Sequence, residues 1–246
     1  MHRAAATGFG RGAEAYERGR PGYPQAAVDW MIGQLGISSR STVVDLGAGT
    51  GKFTRMLLPG GARLIAIEPV AAMREAFQRA VPNVSVIDAT AEELPLADGS
   101  MDAVVAAQAF HWFATSAALA EIHRVLRPDG GLGLIWNRRD LGDPLQAALD
   151  QIVAGYRGEA PSHERDSWRD VVSSSGAFRL MSEQRYPMEQ VVDAEGVVDR
   201  VLSISFMASL EDAERAAIAE KILALLPARA GHVLRYRTDV FIYRRA

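Results

Sequence analysis

The sequence predicts an α/β fold: a largely parallel sheet with helices on both faces. Three observations support it. Apolar runs of strand length alternate with amphipathic helical stretches, the strands read as apolar on both faces, and the notable polar and glycine residues fall just after the strands. In open sheets of this kind ligands bind at the carboxyl ends of the strands.

The alternation runs in order. TVVDLG is followed by KFTRMLLP, RLIAIEP by AAMREAFQRAV, and VSVIDA by a polar stretch. MDAVVAAQA is followed by FATSAALAEIHRVLR, and GLGLIWN by PLQAALDQIVAGYR. Asp45 with its glycines ends the first strand, Glu68 and Pro69 the second, Asp88 and Ala89 the third, Gln108 to Trp112 the fourth, Asn137 and Arg138 the fifth. Beyond about Tyr156 the pattern loosens. A polar connection, GEAPSHERDSW, leads to a helix near 168–175, a strand in RYPMEQVV, helices near 195–205 and 211–226, and an alternating edge strand in HVLRYRTDVFIYRR. Thr90, with Glu93 three residues on, reads as a helix cap. Pro128, Asp129 and the glycines of RVLRPDGGL read as a tight turn into the fifth strand.

The chain has 246 residues, 48% of them apolar, which suits one packed domain. Cysteine is absent, which excludes disulfides and thiolate metal sites and fits a reducing cytoplasm. A net charge of −3 gives no overall basic field for nucleic acid or anionic lipid. MHRAAATGFGRG lacks the apolar core of a signal peptide, and the most apolar long window, 101–120, contains Asp102, Gln108 and His111. His2, His123, His163 and His232 show no metal-ligand spacing, so no metal is expected. The expected partner is a small molecule, with no nucleic acid and no membrane, and the chain acts as a monomer or homodimer.

The stretch VVDLGAGTGKFT holds the main chemical clue. Gly47, Gly49 and Gly51 let a ligand approach the backbone where a strand turns into a helix. A triphosphate loop needs four residues between its first glycine and Gly-Lys-Ser/Thr; GAGTGKF has three, and Phe53 follows Lys52. A dinucleotide loop needs G-x-G-x-x-G; here the third glycine comes one residue early, and Asp45 beside the turn would repel a pyrophosphate. That disfavours an NAD-dependent oxidoreductase. A carboxylate there favours a ligand with a cationic end, hydroxyls and a flat purine. S-adenosylmethionine has all of these and no phosphate. Glu68, closing the next strand, stands where such sites place an acid to accept from ribose hydroxyls; the plainer reading is a strand-end glutamate that caps the next helix.

D-x-G-x-G-x-G after a buried strand resembles the first motif of the class I S-adenosylmethionine-dependent methyltransferases. VIDATAEELPLADGSMD resembles the family's third motif, and FGRGAEAYERGRPGYP with QAFHWF resembles its trans-aconitate-methyltransferase-like small-molecule branch. The match runs from about Phe9 to Asn137. The resemblance implies a Rossmann-like seven-stranded sheet of order 3-2-1-4-5-7-6, with an N-terminal helical lid and a C-terminal helical insertion. It divides residues 1–246 into a lid or arm over 1–30, a donor-binding core over 40–140 and an acceptor-side elaboration over 141–246. It implies methyl transfer from S-adenosylmethionine to an O-, N- or C-nucleophile, carboxylates included, with S-adenosylhomocysteine as product. A cyclase or regulatory module that binds the donor without methylating would keep the same motifs.

Residue by residue, the resemblance implies donor contacts at Asp45, Gly47, Ala48, Gly49, Gly51, Glu68 and Pro69. Asp88 would accept from the adenine amino group and the Ala89 N–H would meet a ring nitrogen. Tyr16 and Arg20 become lid residues, Arg20 pairing with the methionine carboxylate; alternatively Phe9, Tyr16 and Tyr23 pack an arm onto the core with Arg20 solvated. Gln108 would touch the donor. Phe110, His111, Trp112, Asn137 and Arg138 fall on the acceptor side, the aromatics as apolar walls. His111 is the candidate catalytic residue, since histidine is the natural general base for a hydroxyl or amine near neutral pH. A positioning role and a merely satisfied helix-start histidine both stay open, because the family shares the motif across acceptors that need no base.

Overall fold

The computed structural model describes residue 17 and residues 19–158, 167–228 and 230–246. Seven strands form one sheet: β1 (Thr42–Leu46), β2 (Arg63–Ile67), β3 (Ser85–Ile87), β4 (Met101–Ala107), β5 (Leu126–Arg139), β6 (Phe178–Val192) and β7 (His232–Arg245). Their order is β3-β2-β1-β4-β5-β7-β6, as expected. The first five are parallel, while β7 runs antiparallel to both β5 and β6.

Among the described residues the helices are α1 (Gln25–Leu35), α2 (Thr54–Leu57), α3 (Ala71–Ala80), α4 (Ser116–Val125), α5 (Pro144–Ala154), α6 (Ser167–Ser174), α7 (Ala194–Leu202), α8 (Ser205–Ala208) and α9 (Asp212–Leu225). Successive strand residues point to opposite faces, so neighbours enter different cores. Val43, Ala66, Ala103 and Ile135 pack under α1 and α3. Val44, Ile67, Val104 and Trp136 pack under α4 and α6. A third cluster joins α5, α7 and α9 to Leu234 and Tyr236 of β7. It accounts for the loose C-terminal pattern, because those helices pack mainly on one another beside the extended end of β7 and not on the parallel strands.

Four local expectations are corrected. HVLRYRTDVFIYRR, expected at an edge, forms β7, which pairs on both sides, so that β6 is the edge strand. Pro128 to Gly130 do not turn into the fifth strand but lie within β5, where Met101 pairs with Leu126 and Ala103 with Gly131. Of the surplus residues, Arg127, Pro128 and Asp129 are exposed while Gly130 is buried. Thr90 heads no helix: its carbonyl accepts from the Glu93 N–H at 3.3 Å in a turn closed by an isolated bridge. The strand expected in RYPMEQVV extends back to Phe178, because β7 supplies a partner along its whole length. Within the expected 1–30 arm, residues from Gln25 onward belong to α1, whose Ala27, Val28 and Met31 are fully buried against the sheet. No helix among the described residues is long and apolar enough to cross a membrane.

Candidate functional site

The three glycines after β1 all have positive φ, at 72°, 56° and 81°. Their surroundings separate them. A Cβ on Gly47 would lie 2.7 Å from the Ala109 side chain, and one on Gly51 would lie 2.7 Å from Val81 and 2.8 Å from Phe77. A Cβ on Gly49 would meet nothing within 4 Å. The outer glycines therefore serve close packing, and the middle one opens the loop to a cleft. The Gly47 and Ala48 N–H groups donate to the Ile67 carbonyl at 2.8 and 3.1 Å, which ties the loop to β2.

Two acids stand beside this loop. Asp45 is buried, and its Oδ2 accepts from the Thr54 hydroxyl at 2.5 Å. Its Oδ1 is also buried and has no partner among the described residues. Burial pushes the Asp45 carboxyl up to about 7; the Thr54 hydrogen bond opposes this and the nearby Glu68 adds to it. Glu68 is also buried, and burial likewise raises its pKa, with the N–H groups of Val70 and Gly49 working against the shift. Each donates to a Glu68 oxygen at 2.9 Å. A carboxylate can accept about four hydrogen bonds, so capacity remains for further donors.

Two clefts meet here. The larger and more apolar one is lined by Gly49, Glu68, Pro69, Ala89, Gln108 and Trp112, among others. The smaller and more polar one is lined by Arg20, Asp45, Ala48, Thr50, Lys52 and Gln108, among others. Gly47, Ala107 and Gln108 border both. Gln108 has a φ of 56°, rare for a residue with a side chain.

A ligand spanning both clefts meets an apolar wall with an acid at one end and a buried unpartnered carboxylate oxygen at the other. That suits the purine, ribose and ammonium of S-adenosylmethionine, and an acid beside the loop disfavours a phosphate there.

The structure brings most of the expected donor residues together, with two qualifications. Asp88 stands at the rim: its Oδ2 accepts from Arg74 at 2.7 Å and its side chain is 66% exposed. Tyr16, Phe9, His2 and His163 lie outside the described residues. Arg20 borders the polar cleft and its Nη2 donates to the Ser203 carbonyl at 3.5 Å.

The expected acceptor side is more scattered. Trp112 lines the larger cleft. Phe110 is fully buried, edge-on to Phe113 and Trp168, because the short 3-10 turn over Phe110–Trp112 directs it inward. His111 accepts at Nδ1 from the Trp136 indole N–H at 3.2 Å. Burial pushes its imidazole down to about 3, with the Arg20 charge a smaller cause. Asn137 is buried, and its side chain donates to the Gly22 carbonyl at 2.7 Å and accepts from the Thr238 hydroxyl at 2.6 Å. Arg138 pairs with buried Asp239 at 2.9 Å. Among the described residues no group of three or more His, Asp or Glu is placed to hold a metal ion.

Several residues outside the motifs shape the site. Lys52 Nζ donates to the carbonyls of Glu17 and Arg20 at 2.6 and 2.7 Å. Glu17 accepts from the Thr50 hydroxyl at 2.6 Å and pairs with Arg55. These bonds fasten the N-terminal segment across the glycine loop. Thr54, Trp136 and Thr238 act at one remove, through Asp45, His111 and Asn137. The signal for Thr54 was in the sequence, as a hydroxyl closing the loop; for Trp136 and Thr238 only the pairing of strands brings them near.

Residues 44–134 match the model of a family described as a methyltransferase domain. An uncharacterized methyltransferase of Mycobacterium tuberculosis is 35% identical over 218 residues, spanning 89% of this chain and 85% of its own. A solved structure from Anabaena variabilis has a TM-score of 0.66 at 20% identity, covering 93% of this chain and 99% of that one. The cyclase SpnF has a TM-score of 0.57 at 15% identity, over 92% of this chain and 84% of its own. At such identities the two structures share the fold alone.

Proposed function

Since the chain belongs to the class I S-adenosylmethionine-dependent methyltransferase family, we propose that it methylates a small molecule carrying an O-, N- or C-nucleophile, carboxylates included. The observation that carries this reading is the pair of clefts joined at Gln108, apolar with an acid at one end and bearing the unpartnered Asp45 oxygen at the other. S-adenosylmethionine, when bound, supplies a methyl group activated on a sulfonium.

The chain's own residues bind, orient and shield. Asp45 meets the ammonium, Glu68 accepts from the ribose hydroxyls, and Ala89 lies along the purine. Arg20 borders the polar cleft and answers the donor's carboxylate, while Lys52 holds the carbonyls of Glu17 and Arg20. Arg20, Pro21 and Tyr23 form a wall that keeps water from the polar end. Orientation of the reacting atoms is the large term available to such a site, up to roughly 7 to 11 kcal/mol when alignment is good.

His111 serves better as a positioning group than as a base. A ring held neutral, with its Nδ1 occupied by Trp136, carries its proton on Nε2 and acts there as a donor. Such a group orients an acceptor's oxygen, and it suits nucleophiles already deprotonated in solution.

The test is calorimetry with S-adenosylmethionine and NAD, followed by incubation of methyl-labelled donor with a panel of carboxylates, phenols and amines. Binding of S-adenosylmethionine and label in a small product are expected. NAD binding without S-adenosylmethionine binding would remove the reading. Donor binding with no transfer to any class would favour a non-methylating module.

A further inference from the structure

Gln108 lies at the junction of the two clefts, and three features of it are unexplained by lining alone. Its backbone sits at φ 56°, an unfavourable region for a residue with a Cβ, and is held there by its N–H donating to the Ile135 carbonyl at 2.9 Å. Its Nε2 donates to the backbone carbonyl of Asn137 at 3.1 Å. Its Oε1 is buried and has no hydrogen-bond partner among the described residues. A buried polar atom without a partner is costly unless something else meets it.

The orientation of that amide is chemically forced. A backbone carbonyl only accepts, so the Gln108 nitrogen must face Asn137 and the oxygen must face away. Asn137 is fixed by the same logic one step further out. Its Nδ2 donates to the Gly22 carbonyl at 2.7 Å, which leaves Oδ1 to accept from the Thr238 hydroxyl at 2.6 Å. Asn137 and Thr238 are both buried. Thus the backbone carbonyl of Asn137 sets the direction of the Gln108 amide, while the Asn137 side chain, held by Thr238 of β7, anchors the N-terminal segment at Gly22.

We propose that Gln108, its amide turned by the backbone carbonyl of Asn137, directs its carbonyl oxygen toward the cationic centre of S-adenosylmethionine, so that the site favours the charged donor over its neutral product. The inference rests on the S-adenosylmethionine-dependent reading of the clefts. A ligand whose purine fills the apolar cleft and whose amino acid end fills the polar one has its middle beside Gly47, Ala107 and Gln108. In S-adenosylmethionine that middle is the sulfonium; in S-adenosylhomocysteine it is an uncharged thioether. An amide oxygen attracts the first and is nearly indifferent to the second. After transfer the same oxygen has lost its partner, which speeds release of the product.

The experiment is calorimetric titration of parent and variants with S-adenosylmethionine and with S-adenosylhomocysteine, each variant's melting checked against the parent. Gln108→Met keeps length and removes the oxygen. It should weaken S-adenosylmethionine by about tenfold or more, in line with hydrogen bonds to charged groups, while the product's affinity changes far less. Thr238→Val, which removes a bond to the Asn137 side chain but keeps the backbone carbonyl that orients Gln108, should leave the ratio unchanged. General loosening of the site would weaken both ligands together and leave the ratio where it was. A parent that binds both ligands, with an unmoved ratio in Gln108→Met, overturns the proposal alone; a parent that binds neither overturns the cofactor reading beneath it.

Discussion

The Trp136 indole donates to His111 Nδ1 at 3.2 Å, across the end of the parallel sheet. The bond fixes which ring nitrogen carries the proton, and burial pushes the imidazole from its ordinary 6.5 down to about 3. His111→Gln should therefore keep a substantial part of the turnover, because glutamine also offers a donor. His111→Ala should lose more, through weaker acceptor binding. The parent's pH–rate profile should show no step near neutrality that the histidine variants abolish. A step of that kind, with the glutamine variant as inactive as alanine, would make His111 the base.

The same ring affects stability with acid. Between pH 6.5 and about 3 the unfolded chain takes up a proton at His111 that the folded chain refuses. Stability conferred by the neutral ring is complete above 6.5 and falls as pH falls through that window. His111→Gln should lessen the loss of melting temperature between pH 7 and pH 4; an unchanged acid slope would mean the ring is solvated.

Asp45 works in the opposite sense. Its folded carboxyl titrates at about 7 against an ordinary 3.8, so between these values the folded chain keeps a proton that the unfolded chain has lost. The unliganded protein thus becomes less stable as pH rises through the window, by an amount on the order of a few kcal/mol. Asp45→Asn should melt higher than the parent at pH 7.5 and bind S-adenosylmethionine much more weakly. An ammonium beside the carboxylate favours ionisation, so donor binding near pH 6 should release protons, measurable from the buffer dependence of the calorimetric heat. No proton release at pH 6 would place the ammonium elsewhere.

The glycine loop separates folding from binding. Gly51→Ala puts a methyl group within 2.8 Å of Phe77 and Val81 at a positive φ, and should lower the melting temperature strongly. Gly49→Val has open space around its Cβ, so it should remain folded at a backbone cost of about 1 to 2 kcal/mol. It should nevertheless lose the donor, because that space is the cleft. Thermal melts with and without S-adenosylmethionine check both; a Gly49→Val protein still stabilised by the donor would reduce the loop to a turn.

The alternation of strands and helices, the glycine loop and the acids at Asp45 and Glu68 were legible in the sequence because each depends on local pattern: apolar periodicity, strand ends and turn chemistry; the sheet order came from the family resemblance alone. What the sequence hid depends on strand pairing. Asn137 sits opposite Thr238 only through the antiparallel register of β5 and β7, and Trp136 reaches His111 across two strand ends. The sequence marked Phe110 as part of an aromatic run, but only the 3-10 turn decides which aromatic faces the cleft and which the core. Pro128 to Gly130 carry every mark of a turn, and the bulge they form is visible only against the shorter path of β4.

The last expectation concerns Lys52, which the loop motif left without a role. Its ammonium holds the carbonyls of Glu17 and Arg20, while the Glu17 carboxylate takes the Thr50 hydroxyl and Arg55. Burial lowers the Lys52 pKa, and the Glu17 charge works to keep it protonated. The segment so held supplies Arg20, Pro21 and Tyr23 to the polar cleft, with Tyr23 edge-on to Phe53 at 5.2 Å. Lys52→Met keeps the apolar stem and removes all three donors. Hydrogen exchange at residues 19–23 should accelerate, and S-adenosylmethionine should dissociate faster with affinity down about tenfold, the scale of one charged hydrogen bond. Glu17→Gln should do less, because the two carbonyl bonds survive. Since α1 follows independently and packs on the sheet, the global melting temperature should move little in either variant. Unchanged exchange at residues 19–23 in Lys52→Met would show that the contacts of Asn137 with Gly22 and of Gln190 with Gly19 hold the segment without it.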